Sequence, residues 1–160
     1  MNKILQNPIK TRSMSTKEHV AKKLNSLLAD YEIYYQNLRS LHWNIKGEKF
    51  FQLHNLYEEY YDEAADAIDE IAERILMINQ VPLSTMADFV KHADLEEVGV
   101  VSDSKKGLKI VLDNNEKLLA KFNEILEAAD EAGDEGTNAL MSDMIGAAEK
   151  RIWMVSSTLG

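Results

Sequence analysis

The chain has 160 residues, 27 of them carboxylates and four of them histidines, with no cysteine. Any chemical site must therefore do without a thiolate. Thiolate zinc sites, iron–sulfur clusters, disulfides and cysteine nucleophiles are excluded. Two of the histidines, His42 and His54, are placed to act together. Each directly follows a leucine of an apolar stripe, Leu41 and Leu53. Their midpoint is position 48, beside Gly47, so a turn there between antiparallel helices brings the two rings level. Downstream stand Glu58, Asp69 and Glu73. His54 with Glu58, and Asp69 with Glu73, have the i,i+4 spacing that stacks side chains on one helix face. At ~100° per residue, positions 54, 58, 69 and 73 share one side of the helix.

These groups cannot meet at one metal within one chain. Glu58 and Asp69 lie about 16.5 Å apart along a helix rising ~1.5 Å per residue, whereas metal–ligand bonds are roughly 2.0–2.3 Å. An antiparallel copy of the helix across a two-fold axis removes the difficulty. With the mirror point between residues 63 and 64, His54 opposes the partner's Glu73, and Glu58 opposes the partner's Asp69. Two equivalent sites then form per dimer. Two imidazoles and three carboxylates suit Fe or Mn, with Zn also accommodated. The competing reading makes the histidines ordinary core or interface residues and the carboxylates a solvated face.

The elements that must position these residues read as long helices. Val20, Leu24, Leu27, Leu28, Tyr31, Tyr34, Tyr35, Leu38 and Leu41 keep a 3/4 spacing, predicting a helix from about 16 to 44 capped by Ser15 or Thr16. A second stripe, Phe50 to Ile75, predicts a helix over about 48–79. Pro82 ends it, and Ser84 can cap a short helix through His92. The stretch 95–104 reads as irregular. Two further helices, over about 105–129 and 137–157, flank a polar turn at 130–136. Two hairpins joined by one long crossover make the ferritin-like form of the all-α four-helix bundle. The usual Glu-x-x-His motif of intrachain di-iron bundles is absent, since Thr16, Arg39, Phe51 and Phe89 stand three residues before the histidines.

The net charge is −9, unevenly spread: residues 1–17 carry +4 and the remainder −13. An acidic body repels nucleic acid and suits cations, and only the start of the chain can attract phosphate. No apolar run approaches the length of a membrane helix, and the first residues do not read as a signal peptide. The expectation is a cytoplasmic protein with no membrane partner. It would consist of a flexible basic tail over 1–14 and one bundle domain over 15–158.

The segment LHWNIKGEKFFQLHNLYEEYYDEAADAIDEIAERI carries His42-Trp43, Gly47, Phe50, His54, Asp69 and Glu73-Arg74. It resembles the signature of the Dps family, the mini-ferritins, and the likeness covers about 18–158, with Trp153 in the expected place. The resemblance implies a hollow dodecamer of identical bundles that oxidises Fe(II), preferably with hydrogen peroxide rather than dioxygen, and stores ferric mineral inside. It assigns His42, His54 and Glu58 of one subunit, with Asp69 and Glu73 of its two-fold partner, to a di-iron ferroxidase centre where Zn or Mn can substitute. Glu58 stands where the family often has Asp. Trp43 beside the centre is a candidate trap for a stray oxidising equivalent, and a packing aromatic on the plainer reading. Asp130, Asp134 and Glu135 are candidates for an iron inlet at the three-fold axes. Lys3, Lys10 and Arg12 are candidate DNA contacts, expected to be weak. The alternative function is a nucleoid-compacting protein in which the metal site is secondary.

Overall fold

The computed structural model describes the backbone of residues 8–160 and the side chains from Thr16 onward. Five helices follow in order: α1 Pro8–Asn44, α2 Phe50–Met77, α3 Met86–His92, α4 Ser104–Ala132 and α5 Glu135–Leu159. Among the described residues there is no strand. The helix α1 begins at Pro8 rather than near residue 16. Proline fits a first helical turn, where its missing N–H has no intrahelical acceptor anyway. Lys3 lies outside the described residues, as do the side chains of Lys10 and Arg12.

The long helices form because their apolar residues fall on one stripe that only a neighbouring helix can cover. From α1 the stripe buries Leu24, Leu27, Leu28, Leu38 and Leu41; from α2, Tyr57, Ile71 and Ile75. From α4 come Leu108, Leu118, Phe122 and Ile125, and from α5 Met141 and Ala148. Each large side chain removed from water contributes roughly 1.5–3 kcal/mol before entropy is counted. The helices α1 and α2 pack along their length, as do α4 and α5, and α1 joins the two hairpins by packing on α4.

The turn between α1 and α2 is tight because Gly47 takes φ +105°, a conformation most side chains resist. The crossover is tied down by two buried polar residues of α1. Asp30 Oδ1 accepts the N–H groups of Asp94 (2.6 Å) and Leu95 (2.9 Å). Its other oxygen pairs with Lys121, which also reaches Asp94 at 2.6 Å. Asn37 accepts the Val98 N–H at 3.1 Å and donates to Glu96 O and to Asn114 on α4. These bonds lay the crossover and α3 along α1, so α4 starts beside the α1–α2 turn, where Lys46 N–H reaches Ser102 O at 3.1 Å. No described helix is long and apolar enough to cross a membrane.

Candidate metal centre

His42 ends α1 and His54 opens α2, and the turn at Gly47 sets them face to face. Their rings stack with centroids 3.7 Å apart. The backbone holds each ring by the other's carbonyl: His42 Nδ1 lies 2.7 Å from His54 O, and His54 Nδ1 lies 2.9 Å from His42 O. A carbonyl only accepts, so both Nδ1 atoms carry the proton and donate. In the neutral rings this leaves the lone pair on Nε2, the tautomer a metal requires. Phe50 stacks on His54 at 4.9 Å, and the Tyr61 ring meets His42 edge-on at 5.3 Å. The pair is thus fixed on three sides before any ligand arrives.

Glu58 stands one turn beyond His54 and is exposed. The Tyr61 hydroxyl donates to its Oε1 at the long distance of 3.5 Å. Desolvation, with the nearby Glu58 and Asp62 carboxylates, pushes the Tyr61 phenol up and keeps it protonated as a donor. Asp69 and Glu73 are exposed further along α2, on the side opposite buried Ile71 and Ile75. Among the described residues of one chain, no three His, Asp or Glu side chains converge to hold a metal. The five sequence-selected ligands therefore fall into two open groups, His42 at the end of α1 with His54 and Glu58 on α2, and Asp69 with Glu73 further along α2.

Around the histidines lies an aromatic cluster that periodicity alone did not single out. Tyr35 packs edge-on against Tyr61 at 6.0 Å. The Arg39 guanidinium lies over both Tyr35 (5.1 Å) and Trp43 (4.8 Å), stacking distances for cation–π attraction. Trp43 is 57% exposed.

The acidic turn divides differently from expectation. Asp130 and Glu135 are exposed, with Asp130 accepting from Asn138. Asp134, by contrast, is buried. Its carboxylate caps α5 by accepting the Thr137 N–H (3.1 Å) and hydroxyl (2.6 Å), and it pairs with Arg74 at 2.5 Å. Burial alone would raise its pKa, but the Thr137 donors and the Arg74 guanidinium outweigh burial and hold the carboxyl below its usual range. Arg74 and Thr137 are the partners that sequence reading missed; the Glu73-Arg74 pair in the signature was the available signal.

A long-helix bundle with paired imidazoles and outward carboxylates defines a class of metal-handling four-helix proteins. The pattern of the ferritin-like domain matches residues 21–160. A DNA protection during starvation protein of Porphyromonas gingivalis is 44% identical over 138 residues, 86% of this chain and 87% of that one. The crystal structure of a Dps protein from Vibrio cholerae, described as belonging to the ferritin-like diiron-carboxylate superfamily, superposes with TM-score 0.90 at 39% identity over all of both chains. Dps from Thermosynechococcus elongatus superposes with TM-score 0.89 at 30% identity, over 93% of this chain and 95% of that one. The chain belongs to the ferritin-like family, in its Dps branch.

Proposed function

We propose that the protein is a ferroxidase and iron store. In this reading it oxidises Fe(II), preferably with hydrogen peroxide, at a site shared between two copies and keeps the ferric product inside a closed dodecameric shell. The observation that carries the reading is the mutual Nδ1–carbonyl tether of His42 and His54, which in the neutral rings reserves both Nε2 atoms for a metal one turn from Glu58 in sequence. The partner's Asp69 and the partner's Glu73 complete the donor set across the two-fold axis. The same mirror point between residues 63 and 64 brings Phe51, 79% exposed, opposite the partner's Leu76. Leu76 is itself 56% exposed here, so apolar pairs flank the acidic sites in one register.

Iron is the substrate. Two Fe(II) ions each give up one electron, the O–O bond of one peroxide breaks, and two protons convert its oxygens to two waters. Because both electrons are available together, no hydroxyl radical is released. Neutral imidazoles and carboxylates hold the incoming cation, and carboxylate oxygens retain it after oxidation. Zn or Mn occupies the same donors without this turnover. Trp43, held against Arg39, takes up a stray oxidising equivalent. Asp130 and Glu135 serve the inlet at the three-fold axes.

The shell works in the cytoplasm and binds DNA weakly, through residues 1–14. The +4 charge of residues 1–17 favours a second reading, nucleoid compaction. The deciding experiment is an anaerobic Fe(II) titration followed by peroxide, watched by ferric absorbance and sizing chromatography. The expected result is rapid oxidation with iron co-eluting with a particle of twelve chains. Iron left in solution, or oxidised no faster than in buffer, overturns the reading.

A further inference from the structure

The arginine of the signature does not turn toward its neighbour Glu73. Arg74 reaches away from the exposed face and crosses to α5. Its Nη2 meets Asp134 Oδ1 at 2.5 Å, and its Nε donates to Thr137 Oγ1 at 3.0 Å. Asp134 and Thr137 are the N-cap and the third residue of α5, themselves hydrogen-bonded to each other. The guanidinium lies so close over Gly136 that an added Cβ would come within 2.5 Å of Nη1. The glycine is therefore the floor of a fitted seat for the guanidinium.

The seat adds a polar link between two helices that otherwise meet through side chains of the shared core. Close backbone packing joins α1 to α2 and α4 to α5, whereas α2 and α5 make no extended backbone contact. Between them runs a cleft of about 610 Å³ bordered by Tyr60, Glu63, Met144 and Arg151. Two arginines link the helices: Arg151 from α5, in the cleft lining, reaches Glu63 at 3.0 Å, and Arg74 from α2 docks on the start of α5. The last turns of α2, which carry Asp69 and Glu73, are held about the helix axis by buried Ile71 and Ile75 together with the second of these links. A rotation of ~20° would swing a group ~6 Å from the axis by about 2 Å. That is the length of a metal–ligand bond.

We propose that Arg74 is a positioning residue for the carboxylate half of the shared site, holding Asp69 and Glu73 at the angle the partner's histidines require by docking on the N-terminus of α5. The inference rests on the proposed two-chain site. It assigns Arg74 no contact with iron. It also links that half-site to the acidic turn of Asp130 and Glu135, since the dock is built on the first residues after that turn.

The test is a Co(II) titration of the assembled protein, read by the visible d–d absorption of the bound ion, alongside initial rates of peroxide-driven iron oxidation. Arg74→Met and Gly136→Ala disturb the same seat from opposite sides, and Gly136→Ala changes no charge. Both are expected to weaken Co(II) binding by about tenfold, the low end for loss of an outer-sphere support. The Fe(II) KM should rise in step while kcat changes little, and Arg74→Lys should recover part of the affinity. Sizing chromatography selects assembled protein, and if Arg74→Met does not assemble, Gly136→Ala carries the test. Wild-type affinity and KM in an assembled seat variant overturn the role of Arg74. Co(II) spectra unchanged in the His42→Gly, His54→Gly double variant overturn the two-chain site, and the proposal with it.

Discussion

His42 and His54 tether each other through main-chain carbonyls, not through each other's rings. Replacing one side chain leaves the other ring's acceptor in place, so single and double substitutions separate cleanly. The His42→Gly, His54→Gly double variant is expected to assemble normally yet oxidise Fe(II) with peroxide at least about tenfold more slowly in stopped-flow absorbance, because both Nε2 donors are gone. An undiminished rate would remove the pair from the chemistry. At this scale the candidate site was legible in part. The spacing of 42 and 54 about Gly47 brought the rings together, and the i,i+4 pairs on α2 lie on its outer side as expected. What spacing cannot encode is which nitrogen a backbone carbonyl will claim. Nor can it show that Asp134, in a run of acids that all look solvated, is drawn inward by Arg74 from sixty residues away in the chain.

The helices were legible because apolar residues repeat along them, and polar residues buried on the same helices were not. Asp30, Asn37, Asn114 and Asn115 are buried yet polar, so an apolar pattern passes over them, and they hold the crossover and the α1–α4 contact. Asp30→Ala leaves the Lys121 ammonium with the exposed Asp94 as its one carboxylate partner beside the Ser26 hydroxyl, and strands the Asp94 and Leu95 N–H groups. A loss of about 3–5 kcal/mol is expected, the range for breaking one side of a buried ion pair, measurable by chemical denaturation. The cap of α5 gives a pH signature. The folded-state pKa of Asp134 lies below 3.8, so its contribution to stability is complete above that value and is lost as pH falls through the depressed one. Asp134→Asn is therefore expected to melt lower than wild type at neutral pH, with the gap constant down to about pH 4 and narrowing only below it. A gap that grew on acidification would contradict this assignment.

For the whole molecule, the proposed register of α2 against a second copy would make assembly and chemistry inseparable. Phe51→Asp places a charge where an apolar pair is expected to close the two-fold contact, and light scattering should then show species smaller than twelve chains. Ferroxidase activity should fall with them. A full-sized particle with that substitution would rule out the register. Toward DNA the expectation runs against the name borne by several relatives. The body carries −13 and only residues 1–17 carry +4, so few phosphates are neutralised and affinity should collapse as salt rises. Many short basic segments on one particle work the other way, by avidity. Gel shifts at about 50 and 150 mM salt, with and without residues 1–14, weigh the two, and the expected outcome is no retarded band at the higher salt.

The distance between the two ends of α2 also has a genetic consequence. With the proposed two-chain site, histidines near one end and carboxylates near the other would let two differently damaged genes repair one another. One allele lacks His42 and His54 and keeps Asp69 and Glu73; a second has the opposite lesion. Each alone should be inactive. Expressed together, their products should pair at random in about half of the dimers, and each mixed dimer holds one whole site and one empty one. Roughly a quarter of wild-type activity should then return from two null parents, a complementation that a site within a single chain could never produce.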